Sequence, residues 1–169
     1  MTPVSLRRAE ISDAATIHRA LKALAEHLHE NDQFHLTISD LEQHGFGSQP
    51  AFSVLMAEKA DRFAGLCLYF TIFSTWYGKC GVYVQDLYVA PEFRGQRVGE
   101  ALLARIAAEE RAAGATYMRL SVDPSNMQAQ IFYDRLGLAA SPKEEIRMAA
   151  QDAFVALAER GKHLLGDRA

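Results

Sequence analysis

Hydrophobic and polar residues recur along this chain with two periods, and these periods divide it into strands and helices. Short segments rich in β-branched, aromatic and aliphatic residues predict strands. A tight turn is expected near Asp61, between two of them. The predicted strands cover residues 4–9, 52–58, 62–73, 81–90 and 116–122, and residues 144–149 are a further candidate.

Apolar residues spaced three and four apart predict the helices that separate these strands. One short helix opens on a capping box at Thr37–Asp40 and is expected to stop at Gly45. Strands interleaved with helices predict a mixed α/β domain. The other helices are expected to begin at Ser12, to span about 97–113, to begin at Ser125 or Asn126 and end at Gly137, and to span 152–160.

The strand segment 81–90, GVYVQDLYVA, carries one aliphatic pair at even positions and a second pair at odd positions. A two-residue period that slips by one position indicates a β-bulge, here at Gln85 and Asp86. Bulges concentrate beside active sites, although a strand buried on both faces would also explain the pattern.

Composition limits the classes of protein to consider. The 169 residues suit one domain, 1–169, with 49% hydrophobic and 23% charged residues. A net charge of -3 argues against nucleic-acid binding, and no apolar run reaches the ~18 residues of a membrane span. The start lacks the apolar core of a secretion signal, and Cys67 and Cys80 are too few for a disulfide framework, so a cytoplasmic location is expected. Several histidines lack tight ligand spacing, so no metal is predicted.

A glycine-bearing turn between the strand at 81–90 and the helix at 97–113 is the first candidate for chemistry. Such a turn presents free backbone N–H groups and the positive end of a helix dipole, which suit a phosphate. Gly95 and Gly99 would let the backbone approach a pyrophosphate, and arginines add positive charge. Without Gly-Lys-Ser/Thr it is not a P-loop, and glycine turns before helices are also common as purely structural features.

A second candidate is one face of the helix that follows Ser125. Asn126, Ala129 and Tyr133 stand at i, i+3 and i+7, so they share that face. The small Ala129 leaves room for an extended molecule against the helix. Taken alone, a tyrosine beside Phe132 at helical spacing more often belongs to a packed core than to a catalytic site.

Together the two elements resemble the GNAT superfamily of N-acetyltransferases. Arg94-Gly-Gln-Arg-Val-Gly99 is similar to the R-G-x-G-x-G coenzyme A pyrophosphate loop, and residues 126–133, NMQAQIFY, to the N-x-x-A-x-x-F-Y helix. Arg97 stands where glycine is usual, so we expect it to hold helical dihedrals and point outward. The resemblance implies a GNAT fold, with a central mixed sheet of six to seven strands splayed at the β-bulge and flanked by helices. It also implies acetyl-coenzyme A as cosubstrate.

A narrower resemblance covers most of the chain. The segments 41–50, 57–58, 75–79, 83–89 and 131–137 are similar to the diamine, or spermidine/spermine, N-acetyltransferases. That resemblance implies a homodimer and a small amine as acceptor, bound in an acidic slot.

The resemblance also assigns site residues. Tyr133 falls on the proton donor. Gln85 and Leu28 stand at two positions that are acidic in typical polyamine enzymes, which makes the slot less anionic. Gln85 cannot act as a base, so Asp86, acting through a water, is our candidate. Positions near the acceptor are His27, Trp76, Gln85, Asp86 and Glu144. Positions that contact the coenzyme are Leu87, Tyr88, Val89, Arg94, Gly95, Gln96, Arg97, Val98, Gly99, Glu100, Asn126, Ala129 and Tyr133.

The sequence therefore predicts an N-acetyltransferase that transfers acetyl to a diamine, a polyamine or a lysine-like amino acid. Acetylation of a protein N-terminus or lysine, or of an amine drug, is a second hypothesis, which an open, shallow groove would favour. A coenzyme A-binding sensor without turnover is a third, and the intact Tyr133 and Asn126 argue against it.

Overall fold

A computed structural model describes residues 3–142 and 144–165 of the chain. Its contacts divide the chain into two compact units, of which the first ends at Leu138 and the second begins at Ala139. None of the helices in the described part is long and apolar enough to cross a bilayer.

The first unit alternates helices with the strands of one sheet. The strands are β1 Ser5–Arg8, β2 Ser53–Lys59, β3 Arg62–Ser74, β4 Lys79–Val89 and β5 Met118–Leu120. The helices are α1 Ala14–Leu28, α2 Ile38–Phe46, α3 Val98–Ala112 and α4 Met127–Arg135, with short 3₁₀ turns at Ile11–Asp13, Asn31–Gln33 and Pro91–Phe93. The second unit contains α5 Asp152–Leu165.

The sheet runs in the order β1-β2-β3-β4-β5. All neighbouring pairs are antiparallel except β4 and β5, which are parallel. The connection from β1 to β2 contains α1 and α2, and short turns join β2 to β3 and β3 to β4. β4 reaches β5 through α3, the crossover that a parallel pair requires. This mixed sheet confirms the predicted mixed α/β class.

The core lies between this sheet and the helices. Ile17 of α1, Leu41 of α2 and Leu66 of β3 are fully buried. On α3, Leu102 and Ile106 are also fully buried, as their helical spacing predicts. Burial of such aliphatic side chains stabilises the fold by about 1.5–3 kcal/mol each.

Two expectations about strands are wrong. The described residues form five strands rather than six to seven. Residues 144–149, the sixth candidate, have no regular secondary structure. Ile146 and Met148 alternate with charged residues there, a pattern that suits a strand, but such a segment forms a strand only where a neighbouring strand pairs with it.

Two expectations about helix ends also need correction. The capping box at Thr37 and Asp40 is present, but α2 continues through Gly45 to Phe46. A side chain at Gly45 would clash with the ring of Phe52, at 2.6 Å from an added Cβ, so this glycine makes room rather than ending the helix. At the first helix the N-cap is Asp13, since Ser12 lies in the preceding 3₁₀ turn.

Candidate active site

The splay in the sheet comes from the bulge that the sequence predicts. Across the β3–β4 pair, Leu68 faces Asp86 and the next residue, Tyr69, faces Val84, so Gln85 is the extra residue. β5 pairs with β4 only over residues 82–84. Among the described residues, the edge of β4 beyond Val84 therefore has no strand beside it on the β5 side.

A cleft of about 1080 Å³ opens at this splay. It is bounded by β4, by the turn that leads into α3, by α4 and by the end of α1. Of the predicted site residues, those that line the cleft are His27, Gln85, Asp86, Leu87, Tyr88, Val89, Arg94, Gly95, Arg97, Val98, Gly99, Glu100, Asn126, Ala129 and Tyr133.

Three predicted site residues do not line the cleft. Gln96 turns its side chain to the other side of the α3 turn, where it bonds to Lys59. Trp76 lies on the β3–β4 turn with 95% of its surface exposed, so it is not packed against the domain, and its role near the acceptor stays a prediction. Glu144 belongs to the second unit, and its role near the acceptor stays a prediction from the resemblance.

The turn into α3 presents unpaired amides to the cleft. The first hydrogen bond within the helix runs from the amide of Ala101 to the carbonyl of Arg97, and no side chain caps the helix. The amides of Val98, Gly99 and Glu100 therefore have no partner within the helix. Together with the helix dipole, they form a concave site suited to an anionic group.

Arg97 occupies this turn differently from our expectation. It points outward, 79% exposed, and its guanidinium binds the carboxylate of Glu100 with Nε at 2.8 Å from Oε2. Its φ of 63° and ψ of 17° are left-handed, however, so the expectation of ordinary helical dihedrals is wrong. A left-handed position is one that glycine adopts without strain, which explains in physical terms why glycine is usual there.

The two glycines of the turn serve different purposes. Gly95 has a φ of 73°, and an added Cβ there would touch nothing within 4 Å, so its backbone conformation is what requires glycine. A Cβ on Gly99 would lie 3.2 Å from the ring of Phe132 and 3.5 Å from Val89. Gly99 therefore lets α3 approach β4 and α4 closely, which differs from the predicted role of admitting a pyrophosphate.

The face of α4 that the sequence singles out does line the cleft. Asn126 caps the helix, because its Oδ1 accepts a hydrogen bond of 3.0 Å from the amide of Ala129. Tyr133, two turns further on, is half-buried with its ring at 5.2 Å from that of Phe132. The cap fixes the start of the helix and with it the direction in which the phenol of Tyr133 projects.

Two titratable groups of the cleft are shifted by burial. Partial burial raises the pKa of Asp86 to about 6. Burial, with a smaller contribution from Cys67, raises the pKa of Tyr133 to about 12. Cys67 is fully buried, and burial together with the nearby charge of Asp86 raises the pKa of its thiol. At neutral pH this leaves an ionised carboxylate, a protonated phenol and a protonated thiol.

A model of the acetyltransferase (GNAT) family matches residues 17–138. A thialysine N-epsilon-acetyltransferase from Sus scrofa is 34% identical over 145 residues, which cover 81% of this chain and 85% of that protein. The chain belongs to the GNAT acetyltransferase family. This membership confirms the family resemblance and makes the protein an acetyl-coenzyme A-dependent N-acetyltransferase.

Further relatives agree with the assignment to the GNAT family. The human spermidine/spermine N(1)-acetyltransferase-like protein 1 is 33% identical over 108 residues, which cover 60% of this chain and 15% of that protein. Among solved structures, an integron cassette protein from the mobile metagenome of V. cholerae has a TM-score of 0.78 at 20% identity, covering 94% of this chain and 99% of that one. At that identity the likeness concerns the fold alone.

The GNAT cleft also contains polar residues that the sequence reasoning missed. Glu30 lines it just beyond the end of α1, three residues after His27. Tyr83 and Ser121 line it as well, with their hydroxyl oxygens 2.8 Å apart just beside the last β4–β5 pair. Only the closeness of Glu30 to His27 could have signalled it, since the Tyr83–Ser121 contact joins residues 38 positions apart. No group of three or more His, Cys, Asp or Glu side chains that could hold a metal occurs in the described residues.

Proposed function

We propose that this GNAT enzyme transfers acetyl from acetyl-coenzyme A to a primary amine of a small cationic acceptor, by direct attack of the amine. A lysine-like amino acid is the favoured acceptor among the diamines, polyamines and amino acids considered. The observation that carries the proposal is the cleft, which holds an ionised Asp86, the phenol of Tyr133 and an open strand edge together.

The coenzyme half of the cleft is proposed to lie along β4 and α3. The pyrophosphate would accept hydrogen bonds from amides within residues 96–100. Those of Val98, Gly99 and Glu100 are the best placed, since the amide of Gln96 already donates to the carbonyl of Phe93. The unpaired edge of β4 from Leu87 to Val89 offers backbone groups to an extended chain that carries amides. Bound there, acetyl-coenzyme A supplies a thioester, which is already activated toward an amine.

The proton transfers are assigned to Asp86 and Tyr133. An acceptor amine resembles that of lysine, with a pKa of ~10.4, and must lose a proton before it attacks. Asp86, with its pKa raised to about 6, is a stronger base than an ordinary carboxylate and is still ionised at neutral pH. Tyr133 enters the reaction protonated and gives its proton to the departing sulfur as the carbon–sulfur bond breaks. Backbone N–H groups at the bulge near Gln85 can polarise the thioester carbonyl.

Two observations support a lysine-like acceptor. The porcine relative at 34% identity is a thialysine N-epsilon-acetyltransferase. Leu28 and Gln85, both of which line the cleft, stand where the resemblance places acidic residues in polyamine enzymes. A cleft with fewer carboxylates attracts an acceptor with several cationic nitrogens less strongly.

Tyr133→Phe tests the mechanism. We expect kcat to fall by ~10²–10⁴-fold while the KM for acetyl-coenzyme A changes little, because the phenol acts as the sulfur leaves. Tyr77→Phe, on the exposed β3–β4 turn, is the matched control and should keep full activity. A loss of less than about tenfold in Tyr133→Phe, with an unchanged pH profile, would remove Tyr133 from the mechanism.

Gln85→Glu tests the choice of acceptor. The new carboxylate should raise kcat/KM for spermidine relative to lysine and to a short monoamine, because it attracts a second cationic nitrogen. The assay compares these three acceptors in the native enzyme and in the variant. If their order and ratios stay the same, Gln85 has only a structural role at the bulge.

The remaining proposals concern assembly and location. A single acetyltransferase domain over residues 1–169 and a homodimer are supported by the family resemblance. The exposed Phe73, Trp76 and Tyr77 around the β3–β4 turn give apolar surface that a partner could cover. A monomer mass by light scattering at micromolar concentration would contradict the dimer. A cytoplasmic location is supported by the free thiols of Cys67 and Cys80.

A further inference from the structure

The hairpin that joins β2 to β3 ends in a tight two-residue turn. Ala60 and Asp61 have φ values of 51° and 55°, the left-handed pair that matches the twist of a hairpin. Lys59 and Arg62 flank this turn and pair with each other across the two strands. The turn therefore fixes two cationic side chains side by side at the end of the sheet.

Both side chains reach the segment that leads into α3. Lys59 donates a partly buried hydrogen bond of 2.6 Å from Nζ to Oε1 of Gln96. The Nε2 of Gln96 donates in turn to the carbonyl of Glu92, at 2.9 Å. Arg62 binds the carboxylate of Glu92 at 2.7 Å and places its guanidinium 5.3 Å from the ring centre of Phe93.

Of these contacts, the one between Lys59 and Gln96 has the greatest influence on the turn. The Arg62–Glu92 pair is exposed on both sides, and exposed ion pairs contribute little. Gln96, by contrast, stands between two left-handed residues, Gly95 and Arg97. A turn with such a backbone keeps its shape only where its surroundings hold it.

The side chain of Gln96 is committed to this bracing role. Its Oε1 accepts from an ammonium group, and its Nε2 donates to a carbonyl. Neither Lys59 nor Gln96 is among the residues that line the cleft. Lys59 therefore makes no direct contact with a molecule in the cleft, and any effect of its charge acts at a distance, whereas its bond to Gln96 acts on the shape of the turn.

We propose that Lys59 is a positioning residue for the coenzyme, which holds the pyrophosphate-binding turn through Gln96. The inference rests on the proposed placement of the pyrophosphate at residues 96–100. If Lys59 acts in this way, its effect is specific to acetyl donors that carry a pyrophosphate. A donor that ends at the pantetheine, such as S-acetylpantetheine, does not reach the turn and should not depend on Lys59.

The test compares Lys59→Met with the native enzyme on both donors. We expect kcat/KM for acetyl-coenzyme A to fall about tenfold, through KM, with kcat within about twofold; tenfold corresponds to about 1.4 kcal/mol. The value for S-acetylpantetheine should stay unchanged. Lys59→Arg keeps a cationic donor and should restore most of the loss. Lys79→Met is the matched control, since Lys79 flanks the other hairpin of β3 and should behave as the native enzyme.

An equal loss on both donors, or no loss on acetyl-coenzyme A, overturns the proposal. If Lys59→Met folds poorly, Gln96→Met gives the same information, because it removes the same contact from its other partner. Where both single variants fold, the double variant is measured as well, because a true brace makes the two losses non-additive. Additive losses count against the brace. If the native enzyme shows no preference for acetyl-coenzyme A over S-acetylpantetheine, the proposed pyrophosphate site itself fails. If it shows the preference and Lys59→Met retains it, only the role of Lys59 fails.

Discussion

Asp86 connects the stability of this enzyme with its proposed chemistry. Partial burial raises the pKa of its carboxyl from 3.8 to about 6 in the folded protein. Between these two values the folded state binds more protons than the unfolded state, so stability falls as pH rises through that window. Above about pH 6 the carboxyl is ionised in both states, so the folded protein bears the full cost in stability of the buried charge. Asp86→Asn removes the charge and should therefore stabilise the protein at neutral and alkaline pH while removing the proposed base.

The expected size follows from the shift. A difference of roughly 2 pH units corresponds to about 3 kcal/mol, at 1.36 kcal/mol for each unit. For a protein of this length, 1 kcal/mol moves Tm by about 2–4 °C, so Asp86→Asn should raise Tm by roughly 6–12 °C at pH 8. Near pH 4 the carboxyl is protonated in the folded state, so the two proteins should melt at nearly the same temperature.

Thermal melts of both proteins from pH 4 to pH 8 measure this difference. Other groups titrate over the same range, but their contributions cancel between the native protein and the variant. Asp32→Asn, on the exposed 3₁₀ turn after α1, is the control for the loss of an exposed carboxylate. The same samples provide the activity profile, in which the acidic limb of kcat/KM near pH 6 should disappear together with most of the activity.

A Tm difference that is the same at pH 4.5 and pH 8 would refute the reasoning, because the effect of Asn would then not come from the charge. A native acidic limb well below pH 6 would also contradict the raised pKa. A stabilised variant with full activity would leave the electrostatics intact and remove Asp86 from the mechanism. These three results test the raised pKa of Asp86 separately from its proposed role as the base.

Two further predictions concern the turn into α3. Arg97→Gly should be more stable to urea than Arg97→Ala by about 1 kcal/mol, because both lose the exposed pair with Glu100 but only glycine relieves the left-handed backbone; equal stabilities would show that the turn is not strained. Gly99→Val should lower stability by about 1–3 kcal/mol, because its side chain would overlap the ring of Phe132. The double variant Gly99→Val with Phe132→Leu should recover part of this loss in the same urea titrations, and no recovery would place the clash elsewhere.

Local patterns predicted most of the fold because local physics determines those parts. The phase slip in residues 81–90 located the bulge at Gln85, since a strand with a buried face keeps its register strongly. The capping box located the start of α2, because its hydrogen bonds join Thr37 and Asp40, which are only three positions apart. The prediction of a stop at Gly45 was wrong because the reason for that glycine lies on another segment, in the ring of Phe52. The strand at 144–149 was wrong because a strand depends on a partner that sequence patterns do not identify.

The turn into α3 shows where a motif ends and tertiary structure takes over. The departure from glycine at Arg97 is visible in the sequence, but the left-handed backbone that makes it significant is not. The contact proposed to hold that backbone joins Lys59 and Gln96. These residues are 37 positions apart, so no local pattern could pair them. The motif therefore marks where a phosphate would be bound, and the β2–β3 hairpin decides how firmly the turn that binds it is held. A GNAT chain with the same motif but no cation at the hairpin should consequently bind the coenzyme less tightly than its turn sequence implies.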